Sequence, residues 1–437
     1  MAKRPLILLL LAGVAGAGVL AYQLGRDAAP PPTPVQTATV PVPPPPPPPT
    51  EAAVPGGEAG LIQVATPEKR TLTEEEAARL VQFADRTGTE ALLVWHLGAL
   101  QLEHYGRGKR ASDLLEGRGL QAGLLTLLAG RALADGTLGS IDRPLGEILT
   151  EWAGDRRGAI TVRHLLTGTS GLNPPAGDPR ADAAAWALGA TQAVEPGSRF
   201  APSDLEAQLL SIVLGRASGK GYPAYLSQAL WAPIGARPGS LGLDATGRTA
   251  LGWCCFQAIA RDWLRVGLLL KDGGAAEGRP VVPTPWVDDI QKPTLFTRNQ
   301  GLRVLIAWPF EKGGQVKASE PFVDPDTVFL AGEGGQRIYV SEAADLVILR
   351  LGEPVADWDD AKLPNMVARA IARPKDRPLV KPVGQGVELP PITKPPKIPT
   401  VEVVPLAPQA APAATQAPAP SPTAAAPVPP AGGGVQR

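Results

Sequence analysis

Sulfur, histidine and net charge are scarce in this sequence. Among 437 residues there are two cysteines, two methionines and three histidines, and 42 basic residues balance 42 acidic ones. A neutral chain without a long basic stripe argues against a nucleic-acid partner. The two cysteines are too few ligands for a structural metal site, and the three histidines are expected to lie in separate elements. We therefore expect no metal and no cofactor.

The two cysteines are neighbours, Cys254 and Cys255. A disulfide between adjacent residues closes a strained ring. We therefore predict that both are reduced and pack as small apolar side chains. On this interpretation the stability of the chain comes from core packing alone.

Proline divides the chain into regions. Of its 50 prolines, 29 lie in two segments, residues 30–49 and 374–430. Such stretches favour extended polyproline II and cannot bury a core. The glycines show no three-residue period, which excludes collagen. We predict a Pro-rich linker over 26–65, one folded domain over 66–375, and a Pro/Ala-rich disordered tail over 376–437.

The first 25 residues have the composition of a membrane anchor or a signal segment. Lys3 and Arg4 precede an apolar run over 6–22, which is near the lower length limit for a transmembrane helix. Positive charge before the run favours a cytoplasmic N-terminus and an exported body. The alternative is cleavage at the small residues 15–17. We expect the body in the periplasm, tethered to the inner membrane or released there, with peptidoglycan or an envelope protein as candidate partner.

Capping and periodicity predict an α+β fold. Thr73 with Glu76, and Ser203 with Glu206, form capping boxes that begin helices. Apolar alternation predicts strands near both ends of the folded domain, with helices between them. We predict one antiparallel sheet flanked by helices plus a helical subdomain, completed only when the two ends meet. The predicted helices are 74–88, 120–134, 203–215, 257–271 and 364–373, and the strands are 91–96, 100–105, 328–331, 337–341 and 346–350.

Several runs then match one family in its order and spacing. They lie at 132–136, 160–172, 196–197, 258–263 and 334–340. Together these runs resemble class C β-lactamase-like serine hydrolases, the group that includes penicillin-binding esterases and 6-aminohexanoate-dimer hydrolases. The resemblance implies a β-lactamase/transpeptidase-like fold and hydrolysis of amide or ester bonds through an acylated serine.

The family's catalytic positions carry other residues here. The resemblance places its nucleophilic serine and basic lysine, three residues apart on the buried helix, at Gly119 and Ala122. It places the tyrosine and asparagine of the second motif at Pro202 and Asp204, and the histidine of the third at Glu333. We therefore predict no catalytic residue. The positions expected to line a binding cleft are Gly119, Ser203, Asp204, Glu333, Gly334 and Gln336.

Other nucleophiles are weaker candidates. No serine is followed by lysine three residues later, and Thr66 with Lys69 has that spacing only in a proline-broken stretch. Ser170 lies in a loop that the family uses structurally. Ser203 with Glu206 is explained by helix capping.

Two further groups have ordinary structural explanations. Residues 113–116 either border the cleft or form a solvated loop. The histidines, His96, His104 and His164, are expected to be packed or capping side chains rather than metal ligands.

Three functions remain open. The favoured hypothesis is an exported, membrane-tethered pseudoenzyme with a binding or scaffolding role at the cell envelope. The second is an amide or ester hydrolase with a non-standard nucleophile. The third is a purely structural spacer module that displays its Pro-rich arms.

Overall fold

A computed structural model describes residues 51–58, 60–310 and 315–371. The predicted membrane segment at 1–25, the linker as far as residue 50 and the tail at 376–437 lie outside the described residues. Within the described ranges, no helix is long and apolar enough to span a bilayer.

Helices and strands alternate along the described residues, and the longest strands lie near the two ends of the folded body. The helices are α1 Glu74–Arg86, α2 Gln121–Ala134, α3 Val162–Thr167, α4 Ala183–Leu188, α5 Asp204–Ser218, α6 Tyr222–Leu226, α7 Ala260–Lys271, α8 Thr284–Ile290 and α9 Lys362–Ala370. The strands are β1 Glu51–Val54, β2 Thr89–His96, β3 Ala99–Tyr105, β4 Leu115–Glu116, β5 Leu172–Asn173, β6 Thr191–Gln192, β7 Gly239–Gly242, β8 Phe256–Ala258, β9 Ala275–Ala276, β10 Arg279–Pro280, β11 Leu305–Ile306, β12 Val328–Ala331, β13 Arg337–Ser341 and β14 Leu346–Gly352.

A six-stranded antiparallel sheet joins the two ends of the folded body. Its order is β11-β12-β13-β14-β2-β3. The late strand β14 pairs with the early strand β2, and Ile348 lies opposite Val94. This pairing confirms the predicted α+β fold, in which the sheet is complete only when both ends meet.

Alternation along β2 separates two hydrophobic layers. Leu92 and Val94 face a core formed with α1 and α9. Ala91 and Leu93 face the larger core, which contains α2, α5 and α7. Because successive side chains of a strand point to opposite faces, one apolar strand supports both layers. Helices therefore cover both faces of the sheet.

The N-terminal boundary of the folded body differs from the prediction. Strand β1 lies inside the segment 26–65 that the sequence predicts to be a linker, yet it pairs with β7 in a second, four-stranded sheet of order β1-β7-β8-β4. Val54 in β1 is fully buried. The composition-based boundary at residue 65 is wrong because a short strand after the proline run carries little compositional signal.

The helix predicted over 257–271 is shorter in the structure. Residues 256–258 form β8, in which Gln257 lies opposite Ser240 of β7, and α7 begins at Ala260. The segment 256–271 thus contains a short strand followed by a helix. The two capping sites at Thr73 and Ser203 begin α1 and α5 as predicted.

Truncating a side chain of β1 tests whether this strand belongs to the folded body. Val54→Ala removes fully buried methyl groups, and we expect it to lower the free energy of unfolding by about 2 kcal/mol. Leu61→Ala is the matched control, because Leu61 is 86% exposed and its truncation should leave stability unchanged. Urea denaturation of both variants measures the difference. Equal stability of the two variants would contradict the placement of β1.

Candidate active site

The start of α2 occupies the place where the sequence motifs put the nucleophile. Gly119 precedes the helix and has φ +97°, a conformation that side-chain-bearing residues rarely adopt. A Cβ built on Gly119 would lie 3.4 Å from Gly332 Cα and 3.5 Å from the backbone nitrogen of Glu333. The structure therefore brings the first and third motif positions into direct contact.

A backbone hydrogen bond holds these two segments together. The N–H of Glu333 donates to the carbonyl of Arg118 at 2.6 Å. A Cβ on Gly332 would clash with the carbonyls of Gly117 and Arg118, so the close approach requires glycine at 332. The Glu333 N–H already has an acceptor and is not free to stabilise an oxyanion.

A buried ion pair anchors the same loop. Arg337 contacts Asp360 at 2.7 Å, and its guanidinium also donates to the carbonyl of Gly332 at 2.7 Å. Both side chains are buried. The approach of Gly332 to the start of α2 is thus fixed from the opposite side.

The second motif position contributes an acid beside this contact. Asp204 is the first residue of α5, and it is solvent-exposed, as is Glu333. Desolvation raises the pKa of Asp204, Arg303 opposes the shift, and the negative charge of Glu333 adds to it. Asp204 and Glu333 thus lie near each other and form an acidic rim beside Gly119.

Pro202, where the family has its tyrosine, packs on a glycine rather than on a reacting group. A Cβ built on Gly168 would lie 2.8 Å from the Pro202 Cβ. Ala201 N–H donates to the Gly168 carbonyl at 2.8 Å. Pro202 offers no proton at this position. Ala122 lies half-buried in the first turn of α2 and has only a methyl group.

Two predicted cleft residues make structural contacts. Gln336 is fully buried, and its side-chain amide exchanges hydrogen bonds of 2.6 and 2.8 Å with the backbone of Gly352. Gly334 lies against Pro354, and its carbonyl accepts from Val355 N–H at 2.9 Å. The side chain of Gln336 is therefore closed to a ligand, and the placement of Gly334 at the cleft stays a prediction.

Ser203 caps the N-terminus of α5 and bonds to a buried cluster formed by Ser170, Glu206 and Arg303. Its N–H donates to Glu206 Oε2 at 3.1 Å, which confirms the capping interpretation. Ser170 Oγ donates to Glu206 Oε1 at 2.7 Å. Ser170 and Glu206 are at most 2% exposed. Their hydroxyl and carboxylate are within hydrogen-bonding distance but are closed to a substrate.

Arg303 completes the cluster and is the residue that the sequence motifs did not identify. Its guanidinium contacts Glu206 Oε2 at 3.1 Å and donates to the Leu165 carbonyl at 2.9 Å. Burial raises the pKa of Glu206, and the charge of Arg303 opposes this shift. No local signal connects two residues that are 97 positions apart.

The adjacent cysteines are bonded to each other, contrary to the prediction. Cys254 and Cys255 form a disulfide in the segment between β7 and β8. Cys255 has φ +73°, an unusual backbone conformation for a residue with a side chain. The loop fold thus accommodates a linkage that ring strain alone would disfavour.

The histidines have separate local partners. His96 Nδ1 lies 2.8 Å from Thr71 Oγ1, and His104 Nε2 lies 2.9 Å from Asp85 Oδ1. His164 forms a capping box at the start of α3. Among the described residues, no group of three or more metal-ligating side chains is close enough to hold an ion.

An open cavity of about 610 Å³ is lined by residues of α3 and α8. His164, Thr169 and Trp286 line it together with the exposed residues Leu295 and Phe296. None of the six predicted cleft positions contributes to its wall. This cavity is a second candidate location for a ligand.

Comparison with known proteins supports the family suggested by the motifs. The family model described as "Beta-lactamase" matches residues 124–351. Comparison with curated proteins gives no match.

Solved structures share the fold at low sequence identity. A proposed 6-aminohexanoate-dimer hydrolase from Bacillus anthracis is 18% identical, with a TM-score of 0.60 over 74% of this chain and 90% of that one. A penicillin-binding protein homolog from Caulobacter crescentus is 14% identical, with a TM-score of 0.54 over 69% and 99%. A class C β-lactamase is 15% identical, with a TM-score of 0.53 over 69% and 97%.

Removing the carboxylate of the buried cluster tests its structural role. Glu206→Leu leaves the guanidinium of Arg303 buried without its partner, and we expect a loss of about 3–5 kcal/mol of unfolding free energy. Glu75→Leu is the control, because Glu75 pairs with Arg79 on the exposed surface of α1. The control should lose no more than about 1 kcal/mol. Equal losses in denaturant titrations would contradict a stabilising role for the cluster.

The pH dependence of stability tests the raised pKa of Glu206. A folded-state pKa above the unfolded value means that the folded protein holds the proton more tightly. The stability gained from this tighter proton binding is fully present when the pH is below the unfolded-state pKa of Glu206. It is lost as the pH rises through the folded-state pKa. The stability gap between the native sequence and Glu206→Leu should therefore narrow as pH rises above about 4.5. A gap that widens would mean that the Arg303 pair outweighs burial.

Proposed function

This chain belongs to the β-lactamase family, and we propose that it is a catalytically inactive member that binds a ligand or partner at the cell envelope. The proposal combines the serine-hydrolase fold with the replacement of every side chain that would perform the family's chemistry. The N-terminal composition supports export and tethering to the inner membrane, with the body in the periplasm.

The contact at Gly119 carries the proposal. An acyl-enzyme needs a hydroxyl on the nucleophile, a proton acceptor beside it and donors for the oxyanion. Gly119 and Ala122 supply neither of the first two, and the Glu333 N–H is bonded to the Arg118 carbonyl. Residual transition-state stabilisation cannot replace an absent nucleophile.

The charge at the rim limits what the cleft would bind. Asp204 and Glu333 are both solvent-exposed acids next to Gly119. A carboxylate-bearing ligand would be repelled there, whereas a neutral or cationic one would not. Amine-bearing fragments of peptidoglycan and basic segments of an envelope protein fit this charge.

A hydrolase with a non-standard nucleophile is the second candidate. The hydrogen bond from Ser170 Oγ to Glu206 is the observation that favours it. Such a mechanism requires this buried pair to open to solvent. A purely structural spacer, the third candidate, would have no ligand at all.

Active-site probes separate the first candidate from the second. We expect neither fluorescent penicillin nor a fluorophosphonate to label the full-length chain, because Gly119 and Ala122 supply no nucleophile and no base. A catalytically competent class C β-lactamase serves as the positive control. Stoichiometric labelling that maps to one residue would overturn the proposal, and labelling at Ser170 would establish the second candidate.

Thermal-shift measurements distinguish a ligand-binding protein from a purely structural spacer. A ligand that binds only the native state raises the melting temperature, and the stabilisation grows with the logarithm of its concentration relative to Kd. We expect amine-bearing peptidoglycan fragments to raise it, and we expect the rise to weaken in Asp204→Asn/Glu333→Gln. No shift with any fragment would favour the spacer. An equal shift in the double variant would place binding elsewhere, for example in the cavity beside His164.

Restoring the serine and the lysine of the family's first motif tests whether the rest of the site could support hydrolysis. Gly119→Ser with Ala122→Lys should not produce substantial ester hydrolysis, because Pro202 and Glu333 remain and serine is strained at φ +97°. The double variant should also be less stable than the native sequence. Ala122→Lys alone is the control for the added charge. Rapid turnover by the double variant would show that the site needs only these two groups.

A further inference from the structure

The Cys254–Cys255 disulfide lies partly at the surface. Cys254 is 7% exposed, and Cys255 is half-buried. Cys255 is therefore the sulfur that a solvent-borne thiol reaches more readily.

A cation lies beside both sulfurs. Arg180 Nη2 is 3.6 Å from Cys254 Sγ and 3.8 Å from Cys255 Sγ. The backbone of Arg180 is held in place, because Ala245 N–H donates to its carbonyl at 2.7 Å. A neighbouring cation lowers the pKa of a thiol and stabilises its thiolate. Since exchange is faster when the departing thiol has a low pKa, this contact favours opening of the disulfide.

The disulfide is also connected to the start of α2. Cys255 N–H donates to Glu116 Oε1 at 3.1 Å, and the side-chain amide of Gln121 donates to the Cys254 carbonyl. Gln121 lies two residues after Gly119. The backbone of the two cysteines thus contacts the segment that leads into α2.

We propose that Cys254–Cys255 is a thiol–disulfide exchange site for dithiol reductants. A thiolate of the reductant attacks Cys255 Sγ, the bond between the two cysteines breaks, and Cys254 leaves as a thiolate beside Arg180. The second thiol of the reductant then attacks the reductant's own sulfur in the mixed disulfide and releases Cys255. The products are two cysteine thiols, which take the reductant's two protons, and the oxidised, disulfide form of the reductant.

Timed alkylation tests the exchange in the folded, full-length chain. Protein purified in air-equilibrated buffer should take up no iodoacetamide before reduction. After native treatment with excess dithiothreitol, intact mass should show two carbamidomethyl groups. Alkylation before reduction, or a disulfide that opens only in denaturant, would overturn the proposal.

Substitutions at Arg180 test its role in the reaction. We expect Arg180→Gln to slow reduction severalfold and Arg180→Lys to restore most of the rate. Arg248→Gln, which removes the same charge from a neighbouring exposed residue, should react at the native rate. Identical rates for Arg180→Gln and Arg248→Gln would contradict the role assigned to Arg180. Circular dichroism confirms that each variant is folded before it is compared.

Glutathione identifies the sulfur that is attacked. As a monothiol it forms a mixed disulfide that the freed neighbouring thiol would displace, so iodoacetamide is present throughout to trap that thiol, and we expect peptide mapping to place the glutathione on Cys255. A mixed disulfide found on Cys254 would contradict the proposed direction of attack.

Discussion

The pairing of β14 with β2 is the constraint on which the rest of this structure depends. It connects segments from opposite ends of the folded body, and Leu349 lies opposite Leu93 across the joined strands. Both side chains are fully buried in the larger core. The pairing completes the sheet and, with β12 and β13 in register beside it, places the end of β12 next to the start of α2. Without it the candidate site would not exist as one surface.

At that meeting point the backbone of Gly332 and Glu333 lies within van der Waals distance of a Cβ built on Gly119. Glycine at 119 and 332 lets two loops approach until the Glu333 N–H bonds to the Arg118 carbonyl. A hydrolase needs a hydroxyl and a proton acceptor beside this contact, and Gly119 and Ala122 supply neither. Around the contact, buried ion pairs and amide hydrogen bonds hold the loops, so the fold retains a rigid scaffold without the reacting groups.

The sequence predicted the features that depend on residues close together in the chain. Capping at Thr73 and Ser203 and the alternation of the strands gave the elements, and motif order gave the family and the positions of Gly119 and Glu333. It could not predict contacts that join distant segments. Arg180 reaches Cys254 across 74 positions, and a prediction based on ring strain between neighbouring cysteines did not include that contact. The inward orientation of Gln336 likewise depends on Gly352 at the end of β14, which lies 16 residues later in the chain.

Amide hydrogen exchange at Glu333 tests the closed geometry most directly. Fragmentation of the deuterated chain by electron transfer resolves this single amide in mass spectrometry. Because the N–H is bonded to the Arg118 carbonyl, the account predicts exchange much slower than in an unstructured peptide. Exchange at the unstructured rate would mean that the two loops are apart and that the site is open to a substrate.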